Sequence, residues 1–441
     1  MSRSSSLLGA AVLAISTLGV AATGDTASAG VPTCHDQTAT IVGTPGGSID
    51  GTDGPDIVVT NGATEIQTGD GDDLVCVTGG SGKDDADVQT DDGDDVIDAS
   101  TSTSGTRRVY LGDGDDTYTG GPGPDQVVAG DPGEGRAGEG ADTVATGAGY
   151  DYVVTGGTAS APDHDAIDLG PGRDDVTVEG PVDPGLPLIG GEGRDRLALE
   201  GSTLRHFLRI DNVLGRATDD DVVAMTWSGM EDFRLAPSAP WEAPSFTGNN
   251  GAEHIWTSVP LGEARLNGGD DRLNQDIYEG RLLADAFFEG GHGHDTFILM
   301  AGAGDQARRV VYDRRNGSML FERGQQFSDM QVDGFERFRW SARRLEVYGT
   351  ASPEHFEWSG CHGFVAGRGG DDVLELISVP DADCGTYGED ADLVTRGGPG
   401  DDRLLGNYMP DILLGGPGTD VARGDRGNDR CVAETEVGCE R

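Results

Sequence analysis

Gly397-Gly398-Pro399-Gly400-Asp401-Asp402-Arg403-Leu404-Leu405 is followed nine residues on by Gly406 to Leu414, which carries Asp411 and Leu413. Next come Gly415-Gly416-Pro417-Gly418-Thr419-Asp420-Val421-Ala422 and then Gly424-Asp425-Arg426-Gly427-Asn428-Asp429. The unit is G-G-x-G-x-D-x-U-x, with U apolar, and a fixed short period of this kind marks a solenoid. Glycine at positions 1, 2 and 4 permits backbone angles that other residues resist. Residues 7 to 9 read as a short strand with position 8 facing inward. Each nine residues therefore make one turn and one strand, and two units make one coil. Turns two units apart stack, so Asp402 and Asp420 share one side of the coil and Asp411 and Asp429 the other.

The same unit recurs through the chain. Its sixth-position acids are Asp56, Asp73, Asp84, Asp95, Asp116, Asp125, Asp142, Asp151, Asp174 and Asp195, then Asp271, Asp295 and Asp372. With the C-terminal four these are the candidate metal ligands. The pairs 116/125, 142/151 and 165/174 keep the interval of nine. Longer gaps read as loops inserted at corners or as degenerate turns, and Glu65 marks one such turn. Stacked turns offer carboxylates and main-chain carbonyls to one centre. An oxygen-only site with six to eight ligands suits Ca²⁺, whereas Mg²⁺ is smaller and keeps its waters.

These residues resemble the haemolysin-type calcium-binding repeats of the RTX family. The resemblance covers roughly 43–200, 266–300 and 366–432. It implies an all-β, parallel β-roll or β-helix solenoid that folds on meeting extracellular Ca²⁺, with several ions bound. Three features depart from the family pattern. The repeats are interrupted, the export signal is N-terminal, and no effector module accompanies the repeats.

Composition agrees with a need for cations. Of 441 residues 73 are glycine, more than twice the usual share of about 7%. There are 78 Asp and Glu against 31 Lys and Arg, a formal charge of −47. Such a surface repels nucleic acid and anionic membranes. Low hydrophobicity with high net charge otherwise belongs to disordered chains.

A longer repeat lies between 190 and 396. One copy runs from Gly190-Gly191-Glu192-Gly193-Arg194-Asp195 through Glu231-Asp232-Phe233 and Glu253-His254-Ile255 to Asp271. The other runs from Gly290-Gly291-His292-Gly293-His294-Asp295 through Glu336-Arg337-Phe338 and Glu354-His355-Phe356 to Asp372. All 12 Phe and all 5 Trp fall between Phe207 and Phe364, which predicts a conventional β core for this zone. The alternation over Val332 to Tyr348 suits strands.

The expected organisation is a signal peptide over 1–29, an N-terminal calcium-binding roll over 30–199, duplicated aromatic cassettes over 200–395 and a C-terminal tandem roll over 396–441. The run Leu7 to Val20 after Arg3, with Ala27-Ser28-Ala29, reads as a secretory signal cut after Ala29. No later stretch is apolar enough for a membrane span. Six cysteines in an exported chain suggest disulfides, and local closure favours Cys34–Cys76, Cys361–Cys384 and Cys431–Cys439 among fifteen connectivities. A zinc site has no C-x2-C pair to stand on.

No H-E-x-x-H or G-x-S-x-G motif occurs. His292 and His294 read as solvent-facing turn residues. The expected function is a secreted calcium-binding repeat protein with a structural, adhesive or surface-associated role and no catalytic residues. A cell-surface or glycan partner is left open. The alternative is a polysaccharide-acting β-helix enzyme of lyase or epimerase type. Its site would draw on Arg205, Arg209, Arg308, Arg309, Arg343 and Arg344 of the aromatic zone.

Overall fold

The computed structural model describes residues 31–79, 86–103, 106–129, 140–157, 163–200, 208–236, 244–277, 285–301, 309–323, 326–377 and 392–440. Among them there is no helix. The segment 1–29 read as a signal peptide, Asp84 and Cys384 lie outside the described residues.

The chain winds into a two-sheet solenoid. Strands alternate between sheet one and sheet two, and each pairs in parallel with the strand one coil away. In the C-terminal run, Arg403–Leu405 pairs with Val421–Arg423 in sheet one. Ile412–Leu414 pairs with Arg430–Val432 in sheet two. Most strands of the flanking zones are three residues long because six residues of each nine are spent on the turn. The middle residue points inward: Leu404, Leu413 and Ala422 are each 0% exposed. One apolar core runs from Ile49 to Ala422 without interruption.

The aromatic zone belongs to this core rather than to a separate one. In each cassette, sheet two takes a three-stranded antiparallel meander in place of a single strand. The first comprises Arg209–Asp211, Arg216–Asp219 and Val222–Ser228. The second comprises Arg309–Asp313, Ser318–Arg323 and Gln326–Asp333. Their outer strands still pair in parallel with ordinary coils: Arg209–Asp211 with Ser245–Thr247, and Arg309–Asp313 with Arg344–Tyr348. Among the described residues sheet two therefore holds 22 strands and sheet one 18. The space beneath the meanders is filled by large rings, which is why Phe and Trp gather here. Phe338 stacks on Trp340 with centroids 5.2 Å apart, and Tyr312 lies 4.9 Å from Phe338.

Both ends are stapled as expected. Cys34 is bonded to Cys76 and Cys431 to Cys439. Cys361 is also disulfide-bonded.

Candidate metal centre

The sixth-position acids stand at the start of the strands, and their carboxylates tie one coil to the next. Asp402 N–H donates to Asp420 Oδ1 at 2.9 Å, and Asp411 N–H to Asp429 Oδ1 at 2.9 Å. The two stacked pairs thus lie on opposite sides of the coil. On the sheet-two side the N-terminal zone repeats the arrangement through Asp56, Asp73, Asp95, Asp116, Asp142 and Asp165, each N–H donating to the next carboxylate at 2.7–3.0 Å. On the sheet-one side a ladder starts at Asp125 and climbs through Asp151, Asp174 and Asp195 to Glu231. It resumes at Glu253, Asp271, Asp295 and Glu336, and again at Glu354, Asp372, Asp402, Asp420 and Glu434.

The sequence reading placed Asp165 on the nine-residue interval without counting it as a ligand, and did not assign Glu231, Glu253, Glu336, Glu354, Glu434 and Glu440 to the ladders; the last of these closes the Asp429 turn at 2.6 Å. A signal was present for the first five: each acid stands two residues before an inward apolar residue, as in Glu231-Asp232-Phe233. Glu65 stands elsewhere; it is exposed in the strand Glu65–Gln67, one residue beyond the ladder position.

Each ladder bond uses one carboxylate oxygen. The second oxygen of Asp73, Asp95, Asp116, Asp151, Asp174, Asp195, Asp271, Asp295, Asp372, Asp402, Asp420 and Asp429 is buried with no hydrogen-bond partner. Leaving a buried acceptor unmatched costs roughly 1–3 kcal/mol, and more when it is charged. Three other candidates differ. Asp56, Asp125 and Asp411 turn the second oxygen onto a backbone N–H four residues earlier, that of Thr52, Gly121 and Asn407. Asp142 sits in the ladder beside Asp116 and Asp165.

The glycines frame these oxygens. A Cβ on Gly397 or Gly415 would strike the carboxylate of Asp402 or Asp420 in its own turn. Gly398 and Gly400 adopt φ of +123° and +148°, which few other residues tolerate. Their N–H groups donate to the Gly415 and Pro417 carbonyls of the next coil at 2.8 and 3.0 Å. Their own carbonyls face Gly416 and Gly418, where a Cβ would collide with them. Carboxylate and carbonyl oxygens are thus the donors gathered at each stacked turn.

Burial, reinforced by neighbouring ladder acids, holds the following nine carboxyls well above their ordinary range. Asp95, Asp116 and Asp151 are pushed up to about 7, and Asp174, Asp295 and Asp402 to about 6. Asp142, Asp271 and Asp372 are raised for the same reasons. A row of buried acids with spare oxygens calls for positive charge. The donor set is hard, anionic and flexible in number, which fits Ca²⁺.

The family described as RTX calcium-binding nonapeptide repeat (4 copies) matches residues 108–131, 136–158 and 396–431. The chain carries RTX calcium-binding repeats. No curated protein matches the chain. The acid ladder on the sheet-one side extends well beyond the matched stretches.

Two breaks in that ladder are closed by the protein itself. Between Glu231 and Glu253, the Asn212 amide donates to the Met230 carbonyl at 3.2 Å and to Glu253 Oε1 at 2.9 Å. Between Glu336 and Glu354, the Arg314 guanidinium donates to the Phe335 carbonyl at 2.7 Å and to Glu354 Oε1 at 3.3 Å. Both residues come from the first meander strand or the turn after it. Arg314 thus brings its own positive charge to a stacked pair of acids, with Phe338 beneath it at 5.6 Å.

The arginines considered for a catalytic groove lie elsewhere. Arg309 and Arg344 both pair with Glu346 on sheet two, and Arg209 pairs with Asp221. Arg205 and Arg308 lie outside the described residues. His292 and His294 are exposed at their turn, as expected.

Proposed function

We propose that this is an exported protein whose RTX solenoid is completed by Ca²⁺ outside the cell and serves there as a structural, adhesive or surface-associated element. The observation that carries the reading is the set of twelve buried, unpartnered carboxylate oxygens on aspartates at glycine turns. Calcium supplies two positive charges and accepts carboxylate and carbonyl oxygens together. Asp73, Asp95, Asp116, Asp151, Asp174, Asp195, Asp271, Asp295, Asp372, Asp402, Asp420 and Asp429 would hold the ions, with the carbonyls of the glycine turns. Binding energy then becomes folding energy. The ordering of an acidic chain is in this way tied to millimolar external calcium. The segment 1–29 is the export signal in this reading, removed after Ala29.

The test is a calcium titration of the metal-free mature protein, followed by circular dichroism and by metal analysis after desalting. Cooperative gain of β signal with several ions retained, and little response to equal Mg²⁺, is the expected result. An unchanged spectrum and melting curve after chelation would overturn the reading. Export is tested separately, by N-terminal sequencing of protein recovered from the medium.

A further inference from the structure

The outer face of sheet one changes character across the cassettes. Its neighbouring strands Arg272–Ile277, Thr296–Ala301 and Arg337–Ser341 present Arg272 and Asn274, then Thr296 and Ile298, then Arg337 and Arg339. Short side chains on the middle strand thus lie between taller arginines on both sides. The result is a notch of about 110 Å³ lined by Arg272, Thr296, Ile298, Arg337, Arg339 and Glu357. Glu357 takes Arg339, Nε to Oε2 at 2.7 Å. Among the described residues Arg272 has only the Asn274 amide as a partner, at 3.1 Å, and no carboxylate pairs with Arg337. Three guanidinium groups therefore share one acid, in a chain with a formal charge of −47.

The notch continues along the coils. It shares Arg272 and Thr296 with a wider hollow of about 390 Å³ lined by His254 and by Arg173 and Arg194, both paired with Asp232, together with the acids Glu253, Asp270 and Asp271, so the unpaired positive charge is confined to the notch itself. In the adjoining strand Trp256 stands beside Asn274 in register. Its ring is packed under the Arg234 guanidinium at 5.0 Å from the centroid. An aromatic face, an amide and a row of guanidinium groups spaced by strands about 4.8 Å apart make an extended polar track. Arginine is suited to planar carboxylate and sulfate groups, which it binds through paired donors.

We propose that this notch binds the acidic group of a polysaccharide, a uronate carboxylate or a sulfate ester, with the sugar chain laid across the coils toward Trp256. Charge complementarity selects an anion. The half-buried indole beside the Asn274 amide and the Thr296 hydroxyl suits the hydroxyl-rich face of a sugar chain, and single-stranded DNA is the control that separates this from general polyanion binding. This inference stands apart from the calcium reading, since none of the residues lining the notch belongs to the acid ladders; the ladder acids Glu253 and Asp271 line only the adjoining hollow.

The test is affinity electrophoresis and titration calorimetry of the calcium-loaded protein at fixed ionic strength. The probes are polygalacturonate, dextran sulfate, neutral dextran and single-stranded DNA. Binding to one or both acidic glycans is expected, and which of them binds identifies carboxylate or sulfate. The double variant Arg272→Met, Arg337→Met should weaken it at least tenfold. Thr296→Glu, which fills the notch with an acid and leaves every arginine in place, should do the same. Arg403→Met, on the same row three strands from Arg337, should bind as the parent does. Calcium titration of each variant verifies folding. No glycan binding, equal binding by all variants, or equal retention of DNA would overturn the proposal.

Discussion

Chelating calcium should open the C-terminal run before the cassettes. Between Gly397 and Val432 three buried carboxylate oxygens, on Asp402, Asp420 and Asp429, have no partner in the protein. At roughly 1–3 kcal/mol for each, their combined cost is about 3–9 kcal/mol once the ions leave. Against it stands a thin core of Leu404, Leu413 and Ala422. Two buried leucines contribute about 3–6 kcal/mol, so the balance is erased or reversed. Around Trp340 the rings of Phe338 and Phe356 pack on one another, and far more apolar surface opposes opening. The assay is amide hydrogen exchange read by mass spectrometry, with calcium and with excess chelator at neutral pH. Strands Arg403–Leu405, Ile412–Leu414 and Val421–Arg423 should lose protection by about a hundredfold or more, since 1.4 kcal/mol is tenfold. Strand Arg337–Ser341 should lose much less. Equal protection of the C-terminal strands in both conditions, or earlier loss in the cassette, would refute the reasoning.

Other perturbations report on the remaining parts. Arg314→Met should destabilise the protein by about 3–5 kcal/mol even in saturating calcium, because it leaves the fully buried Glu354 without its cation and with only the Thr350 N–H and hydroxyl as donors. Urea unfolding followed by tryptophan emission measures this, and adding Glu354→Gln should recover part of the loss. Gly416→Ala places a side chain at φ +125° against the Gly398 carbonyl, and should raise the calcium midpoint of folding in a circular dichroism titration. The pH response should reverse sign with the metal. Without calcium the folded-state carboxyls lie above their unfolded value near 4, as Asp402 does at about 6 and Asp95 at about 7. The folded chain then holds more protons than the unfolded one, so its melting temperature should fall as pH rises from about 4 to about 7. With calcium bound, acidification through the same window should lower the melting temperature, because protons displace the ions.

Much of this architecture is written in local chemistry. The nine-residue period sets strand, turn and coil, and the inward position 8 holds from Val58 to Ala422. The stacking of 402 on 420 and 411 on 429 follows from that period alone. The acids outside the glycine turns were harder to see. Glu231, Glu253, Glu336 and Glu354 occupy ladder positions with the glycine pattern only partly kept, as Gly229, Gly248 and Gly251, Gly334, and Gly349, so their place before an inward apolar residue is the clearer sign. Nothing local announces Asn212 or Arg314. Each reaches the ladder because a meander folds back across sheet two, a long-range event that no window of nine residues contains. The arginine notch is similar: Arg272 and Arg337 are 65 positions apart and meet only through the stacking of coils.

The two meanders also leave the solenoid lopsided. Four additional rungs on one wall, at about 4.8 Å each, amount to some 19 Å of extra height. Coils threaded through both walls must fan like the pages of an opened book, with the shorter wall on the inside of the bow. That inner side is the one bearing Trp256, Arg272 and Arg337, so a stiff polymer resting there would be cradled by several turns at once, and deleting either meander would straighten the bow and flatten the cradle.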